Sequence, residues 1–506
     1  VSIINKVASF ITQAYYDQME EIINAPHSAQ EKEFSLLIEN GKKTEYGLTH
    51  HFNEIKNYQT FQEKVPVVTY EEIQPEIERA RKGKENILWP GICHFFAKSS
   101  GTTNAKSKFI PITKQSLESN HFTCGKMLFA NYLRNHPDTV IFKRKNLRIG
   151  GSAELYQEYK TKYGDLSAIM IDNLPFWTDF MNTPNREISL MSDWDVKLDA
   201  IANVVINESV GSLTGVPSWM LVLLNRCLEI TGKEKLDEIW PDVEVFFHGG
   251  ISFKPYQTNY ADLCRKELRH YEIYNASEGF FAFQDQKDSK DLLLLLNVGV
   301  FYEFIPMEGS AMHERKAVPL SDVEVGKNYA IVISSNGGLW RYMIGDTVKF
   351  VSVNPYRIVV SGRTKHYINA FGEEVIIENV EDALKVAAEA TEAKINEFTG
   401  APIFMKDKEK GGHEYIIEFE KLPENFEAFK NIFDDRLKEI NSDYEAKRYN
   451  NMTLNAPNIH IARENLFYDW MKERGKLGGQ NKVPRLCNDR QFIEPLLRLN
   501  ETKTSS

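Results

Sequence analysis

Cysteine is scarce in these 506 residues. The five present, Cys93, Cys124, Cys227, Cys264 and Cys487, are scattered, odd in number and form no C-x-x-C pair. That spacing argues against a zinc site or a disulfide framework and fits a reducing, cytoplasmic setting. Positive charge is also short. Against 71 Asp+Glu there are 61 Lys+Arg, a net charge of −10. A general binder of nucleic acid or anionic membrane needs a basic surface, so both classes are set aside, although a local basic pocket stays allowed. No run approaches the ~20 apolar residues of a membrane helix, and Leu292–Leu296 is only strand-sized. There is no signal-peptide pattern, no internal repeat and no low-complexity segment, and only Glu501–Ser506 reads as a free tail.

Against these absences, 42% hydrophobic and 26% charged residues are those of a soluble globular chain. At ~150 residues per domain the length suits two to four domains. Val7, Phe10, Ile11, Ala14 and Tyr15 repeat at helical spacing, an amphipathic stripe. A second helix is expected over Ser28–Asn40, with Ser28 as N-cap and Glu31 closing a capping box. Pro66–Tyr70 reads as a short strand or an extended segment. In the middle of the chain, strands at Val243–Phe247 and Tyr271–Tyr274 alternate with a helix at Trp219–Ile230 capped by Ser218. That alternation predicts an α/β or α+β core carrying its chemistry at strand ends. Tyr329–Ile333, Thr347–Val351 and Arg357–Val360 follow as strands. Beyond Gly362, a β-α-β-α-β order with helices near Ile376–Ala387 and Glu424–Ile440 and strands at Tyr415–Phe419 and Ile459–Ala462 predicts a small α+β lid. The expected domains are therefore 1–361 and 362–506.

Four segments carry candidate chemistry. Ser99-Ser100-Gly101-Thr102-Thr103-Asn104-Ala105-Lys106-Ser107-Lys108 lies between two apolar runs. Glycine, clustered hydroxyls and lysine make a phosphate cradle, although without Walker spacing and with a strand, not a helix, after it. A Ser/Thr-rich surface hairpin reads equally well. Tyr274-Asn275-Ala276-Ser277-Glu278-Gly279 sets one carboxylate at a strand end, suited to Mg2+ beside a nucleotide or to a plain turn. A serine hydrolase would need G-x-S-x-G, and position 275 is Asn. Trp340-Arg341-Tyr342-Met343-Ile344-Gly345-Asp346 offers an aspartate for two ribose hydroxyls, or an ordinary turn. Gly475–Arg485 carries Lys482 on a glycine-rich loop, a point charge for a transition state or a solvated side chain. His248-Gly249-Gly250 is a weaker signal, since glycine pairs at strand ends are common.

The series, in this order, resembles the adenylate-forming superfamily. The segments SSGTTNAKSKFIP, TGVPSWMLVLLN, YNASEG, FYEFIP, YRIVVSGRTKHYINAFGEEV and NKVPRL resemble, more narrowly, the auxin-responsive-promoter family of acyl-acid amido synthetases, over about residues 40–490. The resemblance implies a large N-terminal domain of mixed β-sheets or barrel with helices, followed by a small mobile C-terminal lid. It implies ATP and Mg2+ as cofactors, with a small-molecule carboxylic acid and an amino acid or other amine as partners. Ser99, Ser100, Gly101, Thr102, Thr103 and Lys108 would hold the β- and γ-phosphates. Gly249, Gly250, Tyr274, Asn275, Ala276 and Ser277 would flank the adenine and α-phosphate. Glu278 would bind Mg2+, Asp346 the ribose, with Arg363 close by at the hinge, and Lys482 would reach the acyl-adenylate oxygens. The implied reaction activates the acid as acyl-AMP with release of pyrophosphate, then passes the acyl group to the amine. An acyl-CoA synthetase or acyl-loading ligase, and a non-catalytic adenylate-binding protein, are the alternatives. The chain is shorter than plant members and looks like a bacterial relative. Thr102-Thr103 stands where those members often have Thr-Ser. The acyl pocket is expected between about Asn120 and Trp219, where no motif names the acid or the amine.

Overall fold

Parallel strands joined by helices give way, along this chain, to antiparallel ones, so the chain reads as an α/β protein with a mixed sheet. The structure, a computed structural model, describes residues 2–99, 108–150, 155–191, 194–250, 253, 256–308, 311–363, 367–368, 375–403, 411–441, 444–445, 448, 454–475, 482–487 and 490–502. The chain divides into two compact units, one of residues 1–251 and 265–360, the other of residues 252–264 and 361–506.

The first unit contains β1 (Phe95–Ser99), β2 (Lys108–Ile112), β3 (Lys145–Arg148), β4 (Tyr156–Glu158), β5 (Thr161–Gly164), β6 (Asn182–Thr183), β7 (Val210–Gly215) and β8 (Val245–Gly249). These are followed by β9 (Arg269–Ala276), β10 (Gly279–Gln284), β11 (Leu292–Leu294), β12 (Val300–Pro306), β13 (Val318–Pro319), β14 (Asn328–Ser335) and β15 (Tyr342–Val353). β16 (Tyr356–Arg363) starts here and runs on past the unit boundary. A small sheet has the order β2-β1-β5-β4, and the large one β13-β12-β14-β15-β16-β11-β10-β9-β8-β7-β3-β6. From β3 through β7 and β8 to β9 the pairing is parallel, and from β9 to β10 it turns antiparallel. Leu292–Leu296 is buried throughout, as a strand covered on both faces must be.

Helices α1 (Ile3–Asn24), α2 (Pro26–Gly41), α3 (Tyr70–Arg81), α4 (Thr123–Asn135) and α5 (Pro217–Thr231) belong to the same unit. Three of them depart from the sequence reading. α1 buries Asn5, Met19 and Ile22, while Val7, Phe10 and Ile11 are 53%, 86% and 66% exposed. Periodicity identified the helix but not the face it covers. α2 starts at Pro26 after Ala25, with no cap from Ser28, because proline at the first position has its φ already set for a helix. α5 likewise begins at Pro217, after Val216 rather than Ser218. Pro66–Tyr70 is extended as far as Thr69, and Tyr70 opens α3. Val68 bridges Tyr342, and Thr69 with Glu72 forms the capping box of α3. Gly41 closes α2 from inside, because a Cβ there would lie 2.6 Å from the Phe52 ring and 2.7 Å from Trp340.

The second unit holds β17 (Tyr367–Ile368), β18 (Val375–Ile376), β19 (Lys394–Ile403), β20 (Gly412–Lys421) and β21 (Asn458–Ala462), the last three in one sheet of that order. Its helices are α6 (Gln257–Leu263), α7 (Ile377–Ala390), α8 (Phe426–Ile440), α9 (Leu466–Glu473) and α10 (Ile493–Thr502). Val380 and Leu384 of α7 and Phe429, Phe433 and Leu437 of α8 pack with Phe398 and Tyr415 of the sheet. Phe467, Trp470 and Leu496 of α9 and α10 form a second cluster with Ala401 and Ile416. Each fully buried side chain of this size is worth about 1.5–3 kcal/mol against exposure. The extra strand β19 changes the expected β-α-β-α-β order. A polar start, Lys394 to Glu397, hid it.

Candidate active site

The segment Tyr274–Gly279 is the tip of a tight hairpin. β9 and β10 pair Ala276 with Gly279 and Asn275 with Phe280, leaving Ser277 and Glu278 as the two turn residues. A strand–turn–strand is not the strand–turn–helix of a nucleophile elbow, so the hydrolase reading falls. Asn120 holds this tip from below. Its Nδ2 donates to Phe280 O and Val298 O, both at 3.1 Å, and its Oδ1 accepts from Phe280 N at 2.6 Å. Nothing local in the sequence marks Asn120, because its partners lie 160 and 178 residues away.

β8 delivers Gly249 beside the same hairpin, level with Ile273. A Cβ at Gly249 would sit 2.4 Å from Ile273 O and 3.3 Å from Asn275 Oδ1, so only glycine lets the strands close. Gly250 follows at φ +85°, a backbone that side chains other than glycine's rarely allow. His248 is buried, and desolvation, with His270 next to it, pushes its pKa well below the ordinary value.

Asp346 enters from β15. Arg341 starts that segment at φ +42° and is held there by a buried pair with Glu303, Nε to Oε2 at 2.9 Å and Nη2 to Oε1 at 2.7 Å. Arg341 Nη1 also donates to Val65 O at 2.6 Å. Gly345 has φ +93°, so the strand bends one residue before the aspartate. Asp346 is 5% exposed, and its Oδ2 accepts from the Tyr274 hydroxyl at 2.8 Å. Hence Tyr274, Asn275, Ala276, Ser277, Glu278, Gly249, Gly250 and Asp346 gather at one place in the first unit.

The first loop is anchored to the same unit. Ser99 and Lys108 end and begin the paired strands β1 and β2, facing each other in register. Lys108 Nζ lies 5.4 Å above the Tyr70 ring, and Phe109 N donates to Tyr70 Oη at 2.8 Å. Thr113 Oγ1, just past β2, donates to Asn336 O at 2.7 Å, tying this hairpin to the turn between β14 and β15. Ser100, Gly101, Thr102 and Thr103 lie outside the described residues, as do the side chains of Ser99 and Arg363. Arg363 ends β16, after Gly362 at φ +152°. Lys482 is exposed and belongs to the second unit, one residue before a buried segment.

The interval expected to line the acyl pocket carries no motif, but it holds the buried Lys197, with Asp165 near enough to influence it electrostatically. Burial lifts the Asp165 carboxyl to about 6, tempered by Lys197, and lowers the Lys197 ammonium to about 8, opposed by Asp165. Lys197 Nζ donates to Gly150 O at 3.3 Å, just beyond β3. Among the described residues no group of three or more His, Cys, Asp or Glu side chains is placed to hold a metal. Glu278 alone fits a different chemistry, since Mg2+ keeps several waters and binds through one or two carboxylates plus phosphate oxygens.

Residues 15–268 match the GH3 family N-terminal domain, residues 293–363 the GH3 family central domain and residues 378–491 the GH3 family C-terminal domain. The chain is 22% identical to the probable indole-3-acetic acid-amido synthetase GH3.1 of Arabidopsis thaliana, over 94% of this chain and 92% of that protein. It is 24% identical to the jasmonoyl–L-amino acid synthetase JAR6 of Nicotiana attenuata, over 67% of this chain and 69% of that one. Among solved structures it is similar in fold to AtGH3.15 acyl acid amido synthetase in complex with 2,4-DB, at 16% identity, 97% and 96% coverage and a TM-score of 0.80. It is also similar to 2-hydroxyisobutyryl-CoA ligase in the postadenylation state, at 12% identity, 97% and 92% coverage and a TM-score of 0.58.

Proposed function

Since this chain belongs to the GH3 family, we propose that it is an ATP-dependent acyl-acid amido synthetase, a ligase that forms carbon–nitrogen bonds through an acyl-adenylate. The observation that carries the reading is the meeting of the YNASEG hairpin, the Gly249–Gly250 strand end and Asp346, closed by the Tyr274–Asp346 hydrogen bond. Three turns far apart in sequence then serve one nucleotide. A carboxylate is a poor electrophile because its leaving group would be oxide. In the first step a carboxylate oxygen attacks the α-phosphorus, the bond to the bridging oxygen breaks, and pyrophosphate leaves. In the second step an amine nitrogen attacks the carbonyl carbon, AMP leaves with the bonding pair, and the nitrogen loses a proton.

In this reading Asp346 accepts from the ribose hydroxyls while Tyr274 fixes its carboxylate. Gly249 and Gly250 let the backbone approach the nucleotide. Ser99, Ser100, Gly101, Thr102, Thr103 and Lys108 take the β- and γ-phosphates. Glu278 would hold Mg2+, which neutralises charge on the phosphates. Lys482 supplies positive charge to the adenylation transition state, and Arg363 lies at the hinge of a C-terminal lid formed by residues 362–506. A closed lid keeps water from the mixed anhydride. Five free, buried cysteines support a reducing cytoplasm. The likeness to a CoA ligase keeps CoA as the competing acceptor.

A panel of carboxylic acids in ATP–pyrophosphate exchange, followed by amino acids and CoA as acceptors, tests the proposal. Acid-dependent exchange with amide formation is the expected result. Thioester formation without amide would replace the acceptor, and no exchange with any acid would end the reading.

A further inference from the structure

Lys482 is exposed, yet every residue from Val483 to Cys487 is buried. That short segment lies along β19, the edge strand of its sheet. Gly400 N donates to Arg485 O at 2.8 Å and Cys487 N donates to Gly400 O at 3.1 Å. Thr399 Oγ1 donates to Pro484 O. Backbone bonds of this kind form equally well after a slip along the edge, so they fix contact but not register. The side chain of Arg485 removes that freedom. It is 8% exposed and lies with Cζ 4.6 Å from the centroid of the Phe398 ring. Its Nη1 pairs with the Glu397 carboxylate of β19, and its Nη2 donates to Tyr256 Oη at 3.2 Å. Tyr256, just before α6, is itself fully buried.

A buried ion pair gives little net stability, because desolvation consumes most of the attraction. Its best-attested use is to set register. Any slip of 483–487 would strand a charged Arg485 away from Glu397 in an apolar layer. The pair also acts close to the lysine, only three residues from it, with Val483 packed and Pro484 restricted in φ between them.

We propose that Arg485, gripped by Glu397 and Tyr256, is a positioning residue. It locks the register of the 483–487 segment on β19 and thereby sets where the Lys482 ammonium is presented. The inference rests on the role of Lys482 in acyl-adenylate formation proposed above.

A double-mutant cycle in the full-length enzyme tests it, with acid-dependent ATP–pyrophosphate exchange as the readout. Arg485→Met is expected to lower kcat of exchange by about 10- to 100-fold, the usual consequence of misplacing a catalytic group by about an ångström. KM for ATP and acid should stay within about threefold, as should turnover of supplied acyl-adenylate with amine. In a Lys482→Ala background the same substitution should change residual exchange by less than about threefold, because both act through one group. Glu397→Gln should reproduce the pattern, so failure of Arg485→Met to fold leaves a second variant that decides. Equal loss in both half-reactions, or losses that multiply with Lys482→Ala, would mean a merely structural role and overturn the proposal. Loss of exchange in the wild type with every acid would instead overturn the functional reading beneath it.

Discussion

The Tyr274 hydroxyl and the Asp346 carboxylate meet at 2.8 Å in a buried position, although 72 residues separate them in the chain. One hydrogen bond therefore ties the β9–β10 hairpin to the bend in β15. Removing the hydroxyl leaves the ring and the fold but frees the carboxylate to rotate. A hydrogen bond to a charged group is worth about 1.5–3 kcal/mol. Tyr274→Phe should raise KM for ATP roughly tenfold while KM for the acid moves little. Steady-state kinetics with each substrate varied in turn gives the comparison, and equal changes in both would detach this pair from the nucleotide.

Glu278 is the one carboxylate in its two-residue turn. Without it, the metal would lose a carboxylate ligand and lean more on phosphate oxygens and water. Glu278→Ala should therefore lower exchange strongly at low Mg2+, with partial recovery as Mg2+ is raised. A Mg2+ titration of exchange rate decides this, and wild-type behaviour across the titration would remove the metal role.

Gly249 is constrained by sterics rather than by φ. The obstacle to a Cβ is a backbone oxygen, Ile273 O at 2.4 Å, which cannot swing aside as a side-chain end would. Gly249→Ala should destabilise the chain by about 1–3 kcal/mol, read as a lower urea midpoint at unchanged slope. Exchange should fall with it, because the same strands carry Asn275 and Ser277.

Much of this architecture was legible because short apolar runs ending in Gly, Ser or Asn are strands wherever both faces are covered, as at Leu292–Leu294 and Tyr329–Ile333. The first turn of β15 was not, because Arg341, Gly345 and Asp346 interrupt the apolar pattern and their order depends on Glu303, far away. The stripe of Val7, Phe10 and Ile11 marks α1 as a helix but not its covered face, since it has the same period whether covered or bare. The site residues were individually ambiguous, each as consistent with a turn as with a ligand contact. Their serial order and family likeness brought them together, and the Tyr274–Asp346 and Asn120–Phe280 bonds have no local signature at all.

The second unit carries a pH-dependent element independent of the nucleotide site. Burial pushes the Asp434 carboxyl up, but hydrogen bonds from Arg448 and Tyr444 outweigh it and hold its pKa below the ordinary value. Arg448 Nε lies 2.9 Å and Tyr444 Oη 2.8 Å from Oδ1. A carboxyl with a depressed folded-state pKa stabilises above its unfolded pKa of about 3.9 and loses that contribution as pH falls through the folded value. Asp434→Asn should then be destabilised by about 3 kcal/mol at pH 7, because the buried Arg448 loses the Asp434 carboxylate. The gap to wild type should narrow below about pH 4. Urea unfolding at several pH values measures both, and a constant gap would remove the linkage.

Lys482 gives the sharpest division between half-reactions. Adenylation builds negative charge around the α-phosphorus as pyrophosphate departs, and a lysine on a segment otherwise anchored to β19 is suited to that moment. Acyl transfer to an amine expels AMP, an already good leaving group, and has less need of a fixed cation there. Removing one such electrostatic group costs about 10²–10³-fold in rate. Lys482→Ala should therefore lower acid-dependent ATP–pyrophosphate exchange by about that much, while supplied acyl-adenylate is still converted to amide at close to the wild-type rate. If both half-reactions fell together, the lysine would serve the closed state in general rather than the first chemical step. If neither changed, the charge would have to come from elsewhere in the site, with Lys108 the next side chain to replace.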